Sequence, residues 1–288
     1  MKTPIRYAGG KSKAYKVITK EITTVPKRII SPFIGGGSLE SRWATELGIP
    51  VQGYDIFEPL VNFWKTLLST PNRLADELTK LTPTKEQYNK VKEDLLSWSV
   101  TQDMLKNWNT NYYKRDPIEL DSLQSAAYYF FNHNLSYGPT YLGWISKIYQ
   151  DQDKWNNMIE RIRNYKNPNL VVNQSSFQDV ITNHSTDFLY LDPPYYLTGN
   201  DNKMFKGIYP NANIDVHHTG FDHEGLRDLL HNHKGSFILS YNNCETIREW
   251  YKDFRVEYPS WHYSFSLGET RKRDTIKKSH EILIIKDA

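Results

Sequence analysis

Apolar positions along the chain change period several times, and each change predicts an element. Ala14, Val17, Ile18 and Ile22 recur at helical spacing after the loop Ala8-Gly9-Gly10-Lys11. Arg28-Ile29-Ile30-Ser31 predicts a short strand that runs into Pro32-Phe33-Ile34-Gly35-Gly36-Gly37-Ser38, with a helix expected from Leu39 to Leu47. Pro50 to Tyr54 predicts a second strand ending at Asp55. Leu60, Val61, Trp64, Leu67 and Leu68 then form a helical stripe. Strand, glycine loop, helix, strand and acid follow in the order of a nucleotide-binding half of an α/β sheet.

The pattern changes after about residue 70. Segments 72–81 and 85–98 read as charged helices, 107–116 as a loop rich in Asn, Tyr and Lys, and 123–132 as a helix. Ser136 to Thr140 is turn-rich, and Trp155, Met158, Ile159 and Ile162 make one more helical face. No parallel-strand signal interrupts this stretch, which reads as a mainly helical insertion. Strand signals resume at 170–173, 188–191 and 236–240, separated by helices at about 222–232 and 245–251, and 280–285 closes the pattern as a strand.

Composition narrows the class. The 288 residues allow one large domain, or a core domain with an insertion, and 39% hydrophobic residues suffice for a buried core. No apolar run approaches the ~18 residues of a membrane span. The start, Met1 to Arg6, lacks a signal-peptide core, and the single cysteine, Cys244, excludes an internal disulfide and a multi-cysteine zinc site. A cytoplasmic protein, or one inside a host cell if viral, is therefore expected. Net charge is only +3, so the distribution of charge matters more. Basic residues gather at Lys2, Arg6, Lys11, Lys13, Lys16 and Lys20, and again at Arg271, Lys272, Arg273, Lys277 and Lys278. With 20 tyrosines and 8 tryptophans, these clusters suit a binder of unstacked bases, although aromatics are more often simply core.

Two constellations carry chemistry. Gly35-Gly36-Gly37 after a strand lets the backbone approach a ligand, and Asp55 lies 18 positions after Gly37 (55 − 37), where an acid accepts from ribose hydroxyls. The loop is not G-x-G-x-x-G, so a dinucleotide is not implied. The second is Asp192-Pro193-Pro194-Tyr195, after the apolar strand Phe188 to Leu191. Two prolines fix φ and end the ladder, which places a carboxylate and a flat ring on a stiff turn. Such a turn suits a flat, amino-bearing substrate such as a nucleobase. Alone, it is equally a polar strand end with a stiffened loop.

These stretches resemble the Dam-type, alpha-class DNA adenine-N6 methyltransferases, which use S-adenosylmethionine and release S-adenosylhomocysteine. The resemblance rests on Tyr7-Ala8-Gly9-Gly10-Lys11, Phe33 to Ser38, Asp55 to Asn62 and Asp192 to Tyr195, in that order, with a long insertion before the last. It is weaker in the insertion, through Phe131 to Gly138, and Ser240-Tyr241-Asn242 and Ser279-His280-Glu281 sit where late motifs are expected. It implies a Rossmann-like α/β fold with a mixed, mostly parallel sheet flanked by helices. The catalytic domain would comprise residues 1–68 and 167–288, and a mainly helical target recognition domain residues 69–166. Tyr7, Gly9, Lys11, Pro32, Phe33, Gly35, Gly36, Gly37, Ser38, Asp55, Ile56, Phe177 and Asp192 would bind the cofactor. In Ser175-Ser176-Phe177 the acid usual before the Phe is replaced by Ser176, and Phe177 could equally be core.

The catalytic unit would be Asp192, Pro193, Pro194 and Tyr195. Asp192 and the Pro193 carbonyl would accept the N6 hydrogens of an adenine flipped from double-stranded DNA, with Tyr195 stacking on the base and Tyr196 turned into the fold. Lys114, Arg115, Asn132, Asn134, Ser136, Tyr137 and Tyr141 are the candidates for DNA reading, and Arg271, Lys272, Arg273 and Lys277 for phosphate contact. The stretch 199–218 reads as a loop that orders around substrate. His217, His218, His223, His231 and His233 are irregularly spaced, so no metal is expected. An RNA or protein-amide methyltransferase and a catalytically lapsed DNA-binding protein are the alternatives. A monomer or weak dimer, a cognate restriction endonuclease and the recognition sequence stay open.

Overall fold

The computed structural model describes residues 3–108, 114–196, 220–259 and 281–287. The chain opens with α1 (Tyr15–Lys20), β1 (Ile29–Ser31), α2 (Glu40–Glu46), β2 (Val51–Asp55) and α3 (Glu58–Ser69). A helical stretch follows: α4 (Pro71–Thr79), α5 (Lys85–Ser97), α6 (Ser99–Trp108), α7 (Ser122–Leu135) and α8 (Gln152–Arg163). Then come β3 (Leu170–Gln174), α9 (Phe177–Asn183), β4 (Phe188–Leu191), α10 (His223–Asn232), β5 (Phe237–Asn242), α11 (Glu245–Trp250), β6 (Arg255–Glu257) and β7 (Glu281–Lys286).

The strands form one sheet in the order β3-β2-β1-β4-β5-β7-β6. β3, β2, β1, β4 and β5 are parallel, while β7 runs antiparallel between β5 and β6. The sheet is therefore the mixed, mostly parallel α/β sheet that the family resemblance implies. β1 and β5 are buried along their whole length, as strands covered on both faces must be. The chain leaves β1 towards β2 on one side, and β4 lies on the other. This switch point opens a crevice at the carboxyl ends of β1 and β4.

Local chemistry sets the helix ends. Pro59 and Pro71 sit in the first turns of α3 and α4, where a missing N–H costs nothing. Thr84, Asp121, Asp151 and Asp222 cap α5, α7, α8 and α10 through side-chain oxygens. α7 is the hub of the helical stretch. It packs against α3, α4 and α5 and buries Ala126, Ala127, Tyr129, Phe130 and Phe131. One hydrophobic cluster runs from Ile5 and Ile18 through Leu60 and Trp64 to Phe130, Trp155 and Ile285. Segment 69–166 thus shares a core with the sheet. No helix among the described residues is long and apolar enough to cross a membrane.

Three elements go beyond the sequence reading. α6 continues after α5 across a one-residue break at Trp98 and covers part of the expected loop. α9 starts directly after Ser176, whose hydroxyl accepts from the Asp179 amide at 3.1 Å. β6 is three half-exposed residues at the sheet edge, too short to carry a period. The segments 199–218 and 271–277 lie outside the described residues.

The glycine loop is shaped by protein packing. A Cβ on Gly36 would lie 2.4 Å from Tyr7 Cβ, and one on Gly37 would lie 2.8 Å from the Trp64 ring. Gly35 and Gly37 also take positive φ, 44° and 56°. Gly36→Ala should therefore lower stability by about 1–3 kcal/mol through overpacking, because the atom it meets is the inflexible base of a side chain. Thermal melts of the purified variant read this directly, and an unchanged midpoint would contradict the packing account.

Candidate active site

The carboxyl ends of β1, β2 and β4 open into a cavity of about 620 Å³, within the size range of a small-molecule site. The glycine loop lines one side. Asp55 closes β2, and its oxygens accept from the Gly35 amide at 3.2 Å and the Phe57 amide at 3.0 Å. Burial pushes its carboxyl up to about 6, against the pull of those amides. A carboxylate offers about four acceptor positions, so Asp55 retains capacity to accept from a ligand. Phe33, Phe177 and Phe221 stand together as an aromatic wall, with ring centroids 5.1–5.7 Å apart.

Asp192 follows β4 directly. Lys11 Nζ lies 2.8 Å from Asp192 Oδ1. The ammonium also donates to the Tyr195 hydroxyl at 2.9 Å and the Gly9 carbonyl at 3.2 Å, and lies 3.5 Å from Glu281. The Tyr195 hydroxyl donates in turn to Glu281. Burial opposes the Lys11 charge, but Asp192 and Glu281 outweigh it and hold its pKa above the usual range. Burial raises Asp192 while Lys11 pulls it back. Glu281 is pushed up to about 7, chiefly by burial. The turn is clamped from β5, where Asn242 accepts from the Tyr196 amide at 2.9 Å and donates to its carbonyl at 2.8 Å.

The helical stretch supplies the remaining wall through Tyr129, His133, Pro139, Thr140 and Tyr141. His133 stacks between Tyr7 and Tyr129, at 5.7 and 5.3 Å. Its Nε2–H donates to the Arg6 carbonyl at 2.7 Å, and burial lowers its pKa to about 4, so the ring is neutral.

Tyr7, Gly9, Lys11, Pro32, Phe33, Gly35, Gly36, Gly37, Ser38, Asp55, Ile56, Phe177, Asp192, Pro193, Pro194 and Tyr195 all line this one cavity. Several sit there differently from the expectation. The Lys11 ammonium is committed to Asp192, Glu281 and Tyr195. Tyr195 is buried with its hydroxyl tethered, and the neighbouring Tyr196 is half-buried, edge-on to His223 and Trp250.

The insertion needs a larger correction. Asn132, Asn134 and Ser136 do not reach a surface where they could read bases. Asn132 Oδ1 accepts from the Leu142 amide at 2.7 Å, Asn134 Oδ1 from the Arg6 amide at 2.9 Å, and Ser136 Oγ from the Thr140 amide at 2.9 Å. Tyr141 is buried in the cavity wall, bonded to Thr101 at 2.7 Å. Tyr137, Lys114 and Arg115 are exposed, and Arg115 pairs with Glu93. Arg271, Lys272, Arg273 and Lys277 lie outside the described residues.

Sequence reasoning did not single out Glu40, Tyr129, His133 or Phe221. Tyr129 and His133, four apart on α7, carried the one usable signal, a shared helix face.

The sequence profile of the D12 class N6 adenine-specific DNA methyltransferase matches residues 7–265, nearly the whole chain. The chain belongs to that family. It is also similar to Modification methylase StsI of Streptococcus sanguinis, at 22% identity over 99% of this chain. The alignment covers 42% of that protein, so the D12-class chain spans well under half the length of this relative.

In this D12-class site, Glu40 is enclosed beside Asp192 and accepts from Ser31 Oγ at 2.9 Å and the Leu39 amide at 3.2 Å. Burial pushes its carboxyl up to about 7. A carboxyl whose pKa is higher folded than unfolded stabilises fully below the unfolded value, near 4.5, and loses that contribution as pH rises towards 7. Glu40→Gln removes the ionisation. Its stability relative to the parent should improve between pH 4 and pH 8 by an amount on the order of 2–3 kcal/mol. Denaturant melts at the two pH values measure the difference, and a pH-independent difference would contradict it.

Proposed function

We propose that the chain methylates the N6 amine of an adenine flipped out of double-stranded DNA, with S-adenosylmethionine as donor. Family membership supports DNA adenine methylation, and the observation that carries the finer reading is the single cavity. It joins the glycine loop and Asp55 to a turn whose carboxylate faces the same cavity. The residues present fit the cofactor: an aromatic wall for a purine, an acid for ribose hydroxyls, and a volume near 620 Å³. When bound, S-adenosylmethionine supplies an electrophilic sulfonium methyl. Phe33, Phe177 and Phe221 would hold its adenine ring, and Asp55 its ribose.

An exocyclic adenine amine is a poor nucleophile, because its lone pair is delocalised into the ring. Asp192 would accept one N6–H and the Pro193 carbonyl the other. Both acceptors favour a pyramidal nitrogen and stabilise the positive charge that grows on it. The carboxylate stays fixed by Lys11, so little reorganisation is needed as charge develops. A base stacked in a duplex could not enter such a cavity, so the target adenine would flip out. The Tyr195 ring lines the place such a base would enter. Segment 69–166 would recognise the target, with Tyr137, Lys114 and Arg115 among its exposed side chains.

Radiolabel transfer from S-adenosylmethionine is the direct test. Duplex DNA containing adenine should be labelled at N6. Asp192→Ala should cut the rate at least ~10²-fold while cofactor and duplex still bind. Near-normal transfer by this variant, or label going to RNA or a protein amide instead of DNA, would overturn the reading.

A further inference from the structure

Glu281 has no role in the chemistry described above, yet its position is specific. It is the first residue of β7 and pairs with Asn242, the last residue of β5. Because β7 runs against the parallel strands, its beginning lies at the edge where they end. That edge carries Asp192. An antiparallel strand there brings a side chain to the catalytic turn from its first residue.

A carboxylate 2% exposed is costly unless it is paired, and replacing a buried ionic cluster by apolar side chains often stabilises a fold. Stability alone therefore gives weak grounds for a buried glutamate here. What Glu281 touches is more telling. It lies 3.5 Å from the Lys11 ammonium and accepts from the Tyr195 hydroxyl, which itself accepts from Lys11. A lysine head is a rotating three-donor group on a flexible stem, and two contacts do not fix it. Asp192, Tyr195, Glu281 and the Gly9 carbonyl together do.

We propose that Glu281 is a positioning residue of the methyl-transfer site: through Lys11 and the Tyr195 hydroxyl it fixes the orientation of the Asp192 carboxylate and the Tyr195 ring. The inference rests on the adenine-methylation reading. It assigns Lys11 to the acceptor carboxylate rather than to the cofactor. Loss of Glu281 would leave the binding sites present but the acceptor loosely aimed, and misalignment of that kind costs rate more than affinity.

Single-turnover methylation of duplex DNA by the full chain tests this with Glu281→Gln, Tyr195→Phe and the double variant. S-adenosylhomocysteine and duplex affinities are measured in parallel. Each single variant should slow the methylation step by about 10- to 100-fold while both affinities stay within about 3-fold. The double variant should be little worse than the slower single one, since both act through Lys11. A rate within about 2-fold of wild type in either variant, a rate loss matched by lost cofactor affinity, or additive losses would overturn the proposal. If Glu281→Gln does not fold, Tyr195→Phe, which keeps every buried charge, decides by the same criteria. Absence of transfer by the wild-type chain would remove the methylation reading and this inference with it; an active wild type with unaffected variants removes only this inference.

Discussion

The Lys11 ammonium is almost fully enclosed, and it meets two carboxylates and a phenol from chain segments more than 80 residues apart. Buried charges of this kind cannot be left half-made. Removing one partner strands the others away from water, at a cost of about 3–5 kcal/mol. The cluster therefore couples the placement of the N-terminal loop, the turn after β4 and the start of β7. It also explains how a loop of glycines and small residues holds a fixed place: Lys11 is anchored at its tip, and its amide donates to Ser38 Oγ at 3.0 Å.

Sheet order makes that meeting geometrically available. Parallel strands all end at one edge, and the switch point between β1 and β4 leaves a gap there into which side chains and ligands can enter. β7 reverses direction and adds its own first residue to the same edge. A wholly parallel sheet would have placed Glu281 at the opposite edge, behind the core. The surroundings of the Asp192 carboxylate thus follow from strand direction as much as from the turn that bears it.

The helical stretch is bound into this arrangement through α7. Its Tyr129 and His133 stack towards Tyr7, which in turn packs over the glycine loop. Arg6 Nη1 donates to the Asn134 carbonyl at 2.6 Å, and its guanidinium sits over the Tyr149 ring at 4.2 Å. Asn132, Asn134 and Ser136 brace the segment after α7 from inside. That bracing holds Tyr137 outward, 56% exposed, beside a still more exposed Trp144 whose carbonyl accepts from the Tyr137 amide at 2.6 Å. The helical stretch and the cavity share one rigid support, so a strain at one is felt at the other.

Most of the sheet was legible along the chain, because β1, β4 and β5 are short apolar runs bounded by Pro, Asp or Asn and β2 ends on Asp55, so length and flanking residues mark them as strands. The residues around the cavity were legible as well, since the glycine loop, Asp55 and the Asp-Pro-Pro-Tyr turn each declare their backbone geometry locally. Hydrogen-bond destination was not. Asn132 and Asn134 are polar, and they were expected to read DNA, yet packing on α3, α4 and α5 buries α7 on nearly every side. Glu281 opens an apolar strand, and only its antiparallel placement shows that it faces Lys11. Sequence alone determined which backbone shapes and which chemical groups the protein contains. Tertiary structure decided which of those groups meet, because burial and pairing depend on residues far apart in the chain that no local pattern relates.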